Sequence, residues 1–193
     1  MLRLIFICKE TFAGAVLSLP LLMILNKVYF RSNAKTVLYA VFSLYISAIY
    51  ALVGMPNITY IRLELNVNLL PFIGMLEDLK NSILNVLLFV PLGVMLPVLC
   101  AQYRGAWKKT TFTGLGVSVT IELLQILTLR ATDVNDVLTN GLGTLVGYLI
   151  AQLTMLYFPG VGKVNTNSRE LLTVSIMTIL VMFFCQPFVI ALV

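Results

Sequence analysis

The sequence contains no histidine, and its three cysteines, Cys8, Cys100 and Cys185, lie far apart. Zinc, haem and iron–sulfur sites are built from histidine and closely spaced cysteine ligands, so we expect no metal ion and no other cofactor. The same wide spacing gives no basis for a disulfide framework.

Charged residues are scarce as well, at 11% of the 193 residues, whereas hydrophobic residues make up 60%. A water-soluble domain carries roughly 25% charged residues because its surface must be solvated. The composition therefore excludes a disordered chain, a nucleic-acid-binding protein and a soluble secreted protein. It is typical of a chain that lies in a lipid bilayer.

Long apolar runs replace the missing charge, and several reach or approach the about 20 residues that a membrane-spanning helix needs. They cover approximately residues 11–30, 36–54, 83–101, 110–129, 136–158 and 171–191. We predict an all-α polytopic membrane protein, a bundle of about six transmembrane helices. We divide it into residues 1–54 (two helices), 55–158 (an outer loop and three helices) and 159–193 (an inner loop and the last helix).

The basic residues indicate the orientation of the chain in the membrane. Eight Lys and Arg residues lie in the loops after the first, third and fifth runs, against five on the other side. Loops rich in Lys and Arg stay in the cytoplasm. We therefore expect both termini and the loops at about 55–82 and 130–135 to face outward.

Polar groups inside spanning helices are few, and they are concentrated in one part of the chain. An acid at the centre of such a helix costs roughly 2.5–3.5 kcal/mol on insertion, so each polar group needs a reason. Helices three, four and five are predicted to enclose an outward-facing polar pocket. The candidate ligand-binding residues are Asn68, Asn85, Glu122, Gln125, Arg130, Asp133, Asp136 and Asn140.

Glycine and proline suggest how these helices meet. Gly143 and Gly147 are four residues apart, so they share a face of the fifth helix and allow another helix to approach closely. Pro91 lies inside the third helix, where it removes a backbone hydrogen bond and can bend the helix so that it lines a cavity. The structural candidates are Pro71, Pro91, Gly93, Gly143 and Gly147.

Some of the acids also have purely structural interpretations. Glu122 could be a polar tie to Gln125 or Asn140, or an acid that contacts a ligand. Asp133 and Asp136 stand where the fifth helix begins, and acids are favoured there by the free backbone N–H groups and the helix dipole. The sequence leaves both interpretations open.

Three motifs occur in a fixed order: NLLPF at 68–72, NVLLFVPLG at 85–93, and ELLQ at 122–125 followed by TDVNDVLTNGLG at 132–143. With these motifs, the segment from Asn66 through Gly147 resembles the VanZ-like family of bacterial membrane proteins. The resemblance implies an all-helical domain in the bacterial cell membrane with the motif loops facing outward. It also implies a link to teicoplanin, a lipoglycopeptide antibiotic, because the founding member confers resistance to it by a route distinct from rebuilding the cell-wall precursor. It supplies no catalytic residues.

We therefore expect a binding protein whose partners are membrane lipid and a lipoglycopeptide antibiotic or lipid-linked envelope component. The alternative is an intramembrane enzyme that modifies an envelope lipid or cell-wall precursor, with Glu122 and Asp136 as acid and base and Arg130 holding an anionic headgroup. The lack of histidine and of a nucleophilic serine or cysteine beside these acids favours binding. Transport ranks third because the two halves show no inverted repeat. The sequence does not indicate an oligomeric state.

Overall fold

The computed structural model describes residues 2–63, 66–72, 78–162, 164 and 166–191, with the backbone alone at residues 2–4. The regular secondary structure of this part of the chain is helical apart from one pair of two-residue strands, which confirms the predicted all-α class. The helices are α1 (Leu2–Leu25), α2 (Asn33–Val53), α3 (Leu79–Leu99), α4 (Trp107–Gln125), α5 (Val134–Tyr157), α6 (Ser168–Phe184) and α7 (Gln186–Ile190). The strands are β1 (Val67–Asn68) and β2 (Thr132–Asp133).

Four helical segments among the described residues are long and apolar enough to cross a membrane. They are Ile5–Phe30, Asn33–Val53, Leu79–Leu99 and Val134–Tyr157. The chain is thus a multi-pass membrane protein. Helix α4 has 19 residues but includes two lysines, a glutamate and several threonines and glycines, and α6 has only 17 residues. These two helices fall short of the apolar length that the other four have.

Two helix boundaries differ from the prediction. The first helix begins at Leu2 rather than near residue 11, and no glycine or proline interrupts residues 2–10. The predicted last run, 171–191, is divided at Cys185 into α6 and α7. Pro187 lies in the first turn of α7, where a proline is favoured because its missing N–H group would have no partner within the helix.

The helices form two compact units. The first consists of Met1–Ile61 and Thr166–Val193, so it joins the N-terminal helices to the C-terminal ones. The second consists of Arg62–Asn165 and contains α3, α4, α5 and both strands. All candidate site residues belong to the second unit.

In the second unit, α3 and α5 touch through glycine. A Cβ atom built on Gly147 would lie 2.9 Å from the Cα of Gly93, and one on Gly143 would lie 3.0 Å from the Cα of Val86. Real Cβ atoms cannot approach a backbone so closely, so only glycine lets the two helices pack at this distance. The glycine face of α5 thus lies against α3, the kind of contact that the sequence spacing predicts.

Pro91 does not line a polar cavity, contrary to the expectation. Helix α3 continues without a break from Leu79 to Leu99, and the Pro91 side chain is exposed on its outer surface. A proline on the lipid-facing side removes one backbone hydrogen bond without presenting its ring to the interior. Gly93 therefore lies on the side of α3 that contacts α5, and Pro91 lies on the exposed side.

The α3–α5 contact gives a direct test. Gly147→Ala should lower the stability of the purified protein by about 1–3 kcal/mol, because the added methyl group must displace backbone atoms. Gly116→Ala in α4 is the matched control, since a Cβ there meets nothing within 4 Å. Alanine in an open helix position is favoured over glycine by about 0.5–1 kcal/mol, so this control should melt at the same temperature as the wild type or higher. Thermal unfolding in detergent measures both; equal melting temperatures would contradict the close contact.

Candidate functional site

Glu122 fixes the segment that follows α4. Its side chain is 4% exposed, and its carboxylate accepts a 2.9 Å hydrogen bond from the backbone N–H of Asp133. The backbone carbonyl of Glu122 accepts a 3.0 Å bond from the hydroxyl of Thr132. Glu122 is therefore a tie, and it joins α4 to the backbone at the start of α5.

The two motif loops are joined side by side where α5 begins. Strands β1 and β2 pair in parallel, with Val67 opposite Thr132 and Asn68 opposite Asp133. The Asn68 amide donates to the Asp133 carboxylate at 3.2 Å. Asp133 also caps α5, because its carboxylate accepts a 2.8 Å bond from the backbone N–H of Asn135. The preference for acids at the start of a helix thus explains the capping of α5 by Asp133, but not its bond to Asn68.

Helix α3 contributes Asn85 to the same end of the unit. The Asn85 side chain hydrogen-bonds the carboxylate of Asp136, which lies in the first turn of α5. Arg130 is near enough to Glu122 and Asp136 to attract both carboxylates. Because acidic and amide oxygens outnumber the single guanidinium group, this assembly is rich in hydrogen-bond acceptors.

Asn140 lies one turn deeper between α4 and α5. It is 4% exposed, and its amide nitrogen donates to the hydroxyl of Ser118 at 2.8 Å. Its amide oxygen has no hydrogen-bond partner among the described residues. Gln125 is also buried, in the last turn of α4. Asn140 and Ser118 thus form a second polar layer below the first.

The polar cluster, as we call it, therefore consists of Asn68, Asn85, Glu122, Arg130, Asp133 and Asp136, with Asn140 and Gln125 on its inner side. The structure joins residues that are far apart in the sequence, such as Asn68 and Asp133, which are 65 positions apart. Pro71 stands exposed in the turn after β1, and Pro91 lies outside the cluster. Within the described part of the chain, no three histidine, cysteine or acidic side chains are grouped so that they could hold a metal ion.

Two residues that hydrogen-bond to members of the cluster are missing from the sequence-based set. Ser118 precedes Glu122 by one helical turn, so the spacing of four residues is the signal that could have identified it. Asn135 is 5% exposed, and its amide oxygen accepts a 2.7 Å bond from the backbone N–H of Phe72. Asn135 lies within the third motif between Asp133 and Asp136, and this position is the signal that could have identified it.

Apolar side chains surround the joined loops. Leu69, Leu70 and Phe72 are 73%, 61% and 71% exposed. Phe72 has a φ of 67°, which is a strained backbone conformation for a bulky residue. Its hydrogen bond to Asn135 holds this conformation in place, and strain of this kind is concentrated at functional sites. The acceptor-rich cluster thus has an exposed apolar border.

Comparison with known proteins was consistent with these motifs. The model of the VanZ/LLP1 family matches residues 19–156. Protein VanZ of Enterococcus faecium is 36% identical over 83 residues, which are 42% of this chain and 50% of that protein. The chain thus spans about half the length of this curated relative. No solved structure matches the chain. Because the family match covers well over half of its length, the chain belongs to the VanZ/LLP1 family of membrane proteins.

Proposed function

We propose that this protein binds an amphiphilic molecule at the polar cluster and thereby confers resistance to lipoglycopeptide antibiotics such as teicoplanin. The ligand is either the antibiotic itself or a lipid-linked component of the cell envelope. The observation that carries the proposal is the convergence of Asn85, Glu122 and Asp136 from three different helices. The similarity to Protein VanZ supports it, although it covers only half of that protein.

The chemistry of the cluster suits such a ligand. A lipoglycopeptide, like a lipid-linked wall precursor, carries a polar body with amide and hydroxyl donors, and carboxylates and carboxamides accept these hydrogen bonds. Its acyl chain needs apolar surface, which Leu69, Leu70 and Phe72 offer beside the cluster. Polar groups that fix orientation, set against a larger apolar surface, are characteristic of small-molecule sites.

Acid–base catalysis by Glu122 and Asp136 is the second candidate. The attraction of Arg130 for both carboxylates supports it, because a guanidinium can also hold an anionic headgroup. Binding is favoured because the Glu122 carboxylate already holds the backbone of Asp133. Mass spectrometry of envelope lipids and wall precursors from deletion and wild-type cells separates the two: a changed species supports catalysis, whereas identical profiles support binding.

We further propose that α4 and α6 also cross the bacterial cell membrane, which gives six spans, and that the motif loops face outward. The bias of eight basic residues to five and the alternation of long helices with short loops support this topology. The partners of the polar cluster would then reach it from the outer leaflet.

Resistance is tested by expressing the protein in a teicoplanin-susceptible bacterium. Expression should raise the inhibitory concentration of teicoplanin, and Glu122→Ala should return it to the value of the empty vector. Asn85→Ala, which leaves the Glu122–Asp133 bond intact, should cause the same loss. Thr120→Ala is the matched control, because the exposed Thr120 hydroxyl bonds only to the backbone of its own helix. Unchanged resistance in the first two variants, at equal membrane abundance by immunoblot, would refute the role of the cluster.

A separate variant tests the apolar border. Phe72→Asn keeps the left-handed backbone conformation, which asparagine tolerates, and removes the apolar ring. Resistance to teicoplanin should fall, while any protection against a glycopeptide without an acyl chain should not change. The same inhibitory-concentration assay measures both, and an equal fall for the two antibiotics would show that the ring does not contact the acyl chain.

Topology is tested by cysteine labelling in a variant with Cys8, Cys100 and Cys185 replaced. Ala131→Cys, between α4 and β2, should react with a membrane-impermeant maleimide in intact cells. Ala101→Cys, in the turn between α3 and α4, should react only after permeabilisation. Both positions are exposed, so accessibility within the protein is matched. The opposite pattern would invert the proposed orientation.

A further inference from the structure

The end of the second unit that lies away from the polar cluster has lysines but no acids. Residues 79–121 and 137–169 contain no aspartate or glutamate. They include the start of α4 and the ends of α3 and α5, which run in the same direction at their glycine contact. Lys108 and Lys109, in the first turn of α4, are both exposed. Positive charge at this end of the unit therefore has no acid to balance it within these stretches.

The two lysines lie at the end of a membrane-spanning helix. Helix α3 is long and apolar enough to cross a membrane, and it ends at Leu99. A short turn follows before α4 begins at Trp107. The ammonium group of Lys109 donates a 2.8 Å hydrogen bond to the side-chain oxygen of Gln102 in this turn. The first turn of α4 is thus held beside the end of α3, where the bilayer meets water.

Neutral groups hold both ammonium ions. The Lys108 nitrogen lies 5.6 Å from the centre of the Trp107 ring, and the Lys109 nitrogen lies 5.2 Å from the centre of the Tyr103 ring. These are cation–π distances, which fix a cation without removing its charge. The bond of Lys109 to Gln102 is also to a neutral oxygen. These contacts position the two charges and leave them available to an anion.

The position of the lysines in the helix makes an anion favourable. Cations in the first turn of a helix are opposed by the helix dipole, and two adjacent ammonium groups repel each other. No side chain caps the start of α4. A negative group beside Lys108 and Lys109 would offset both unfavourable interactions.

Exposed aromatic rings extend this surface towards the apolar part of the bilayer. Trp107 is 51% exposed, and tryptophan is enriched at the level of lipid headgroups. Phe112 is 70% exposed and lies four residues after Lys108, so both are on one face of α4. This face presents a cation first and an apolar ring about one helical turn further along.

We propose that Trp107, Lys108 and Lys109, which we call the α4 patch, bind the phosphate group of an anionic phospholipid whose acyl chain lies along Phe112. A soluble anion would satisfy the charges but would leave the exposed rings without an apolar partner, so the order of cation and ring favours a lipid. With the topology proposed above, this lipid belongs to the cytoplasmic leaflet. The inference concerns the other end of the unit and does not depend on ligand binding by the polar cluster.

The experiment uses the fluorescence of Trp107, which is the only tryptophan in the sequence and therefore reports on this site alone. The full chain is reconstituted into phosphatidylcholine vesicles that contain brominated phosphatidylglycerol or brominated phosphatidylcholine, because bromine on an acyl chain quenches a tryptophan that it contacts. Each lysine near an anionic lipid contributes roughly a fivefold preference. The brominated anionic lipid should therefore bind beside Trp107 roughly 25-fold more strongly than the neutral one.

Charge-removing variants test the α4 patch. Lys109→Gln should lower the ratio of the two binding constants about fivefold, and the double variant Lys108→Gln/Lys109→Gln should lower it to about one. Lys80→Gln is the matched control, because Lys80 is an exposed lysine in the first turn of α3, at the other end of the same unit. It changes the net charge as Lys109→Gln does, and its ratio should equal that of the wild type.

Glycerol phosphate distinguishes a lipid headgroup from a free phosphate ligand. It should lower the ratio only as much as sodium chloride of the same ionic strength does, through screening. A larger decrease would identify a soluble phosphate ligand and overturn the lipid assignment. Equal quenching by the two brominated lipids in the wild type, an unchanged ratio in the double variant, or an equal decrease in Lys80→Gln would overturn the proposal as well.

Discussion

The hydrogen bond from the Asp133 N–H to the Glu122 carboxylate is the interaction on which the architecture of the second unit depends. Glu122 is only 4% exposed, so its carboxylate must find hydrogen-bond donors within the protein. The donor it finds is a backbone group at the start of α5. One costly side chain therefore fixes the path of the chain between two helices, because Thr132 and Asp133 are both held by Glu122.

Glycine supplies the second half of the arrangement. Contact of Gly93 with Gly147 brings α3 and α5 together at backbone distance. At the end of this contact, Asn85 and Asp136 are near enough to form a hydrogen bond. A larger residue in the contact would move the two helices apart and separate this polar pair. The glycine contact and the hydrogen bond between Asn85 and Asp136 are thus both consequences of the pairing of α3 with α5.

The sequence predicts those features that are governed by local rules. Apolar run length predicts the order of the long helices, and helix-start chemistry predicts the cap provided by Asp133. Features that depend on distant residues could not be predicted. The contact of Glu10 with Gln186, 176 positions away, has no local signal, and neither has the union of both chain ends in one unit. The orientation of Pro91 is set by where the glycines of α3 and α5 meet, which periodicity alone does not give.

The parallel pairing of β1 with β2 has a consequence for how the protein is made. β1 precedes α3 in the chain and β2 follows α4, so two complete helices must be synthesised before the strands can meet. During synthesis, β1 therefore has no strand to pair with until the ribosome has added residue 133. The paired strands therefore form late in synthesis, and any translation product that stops before β2 will lack them.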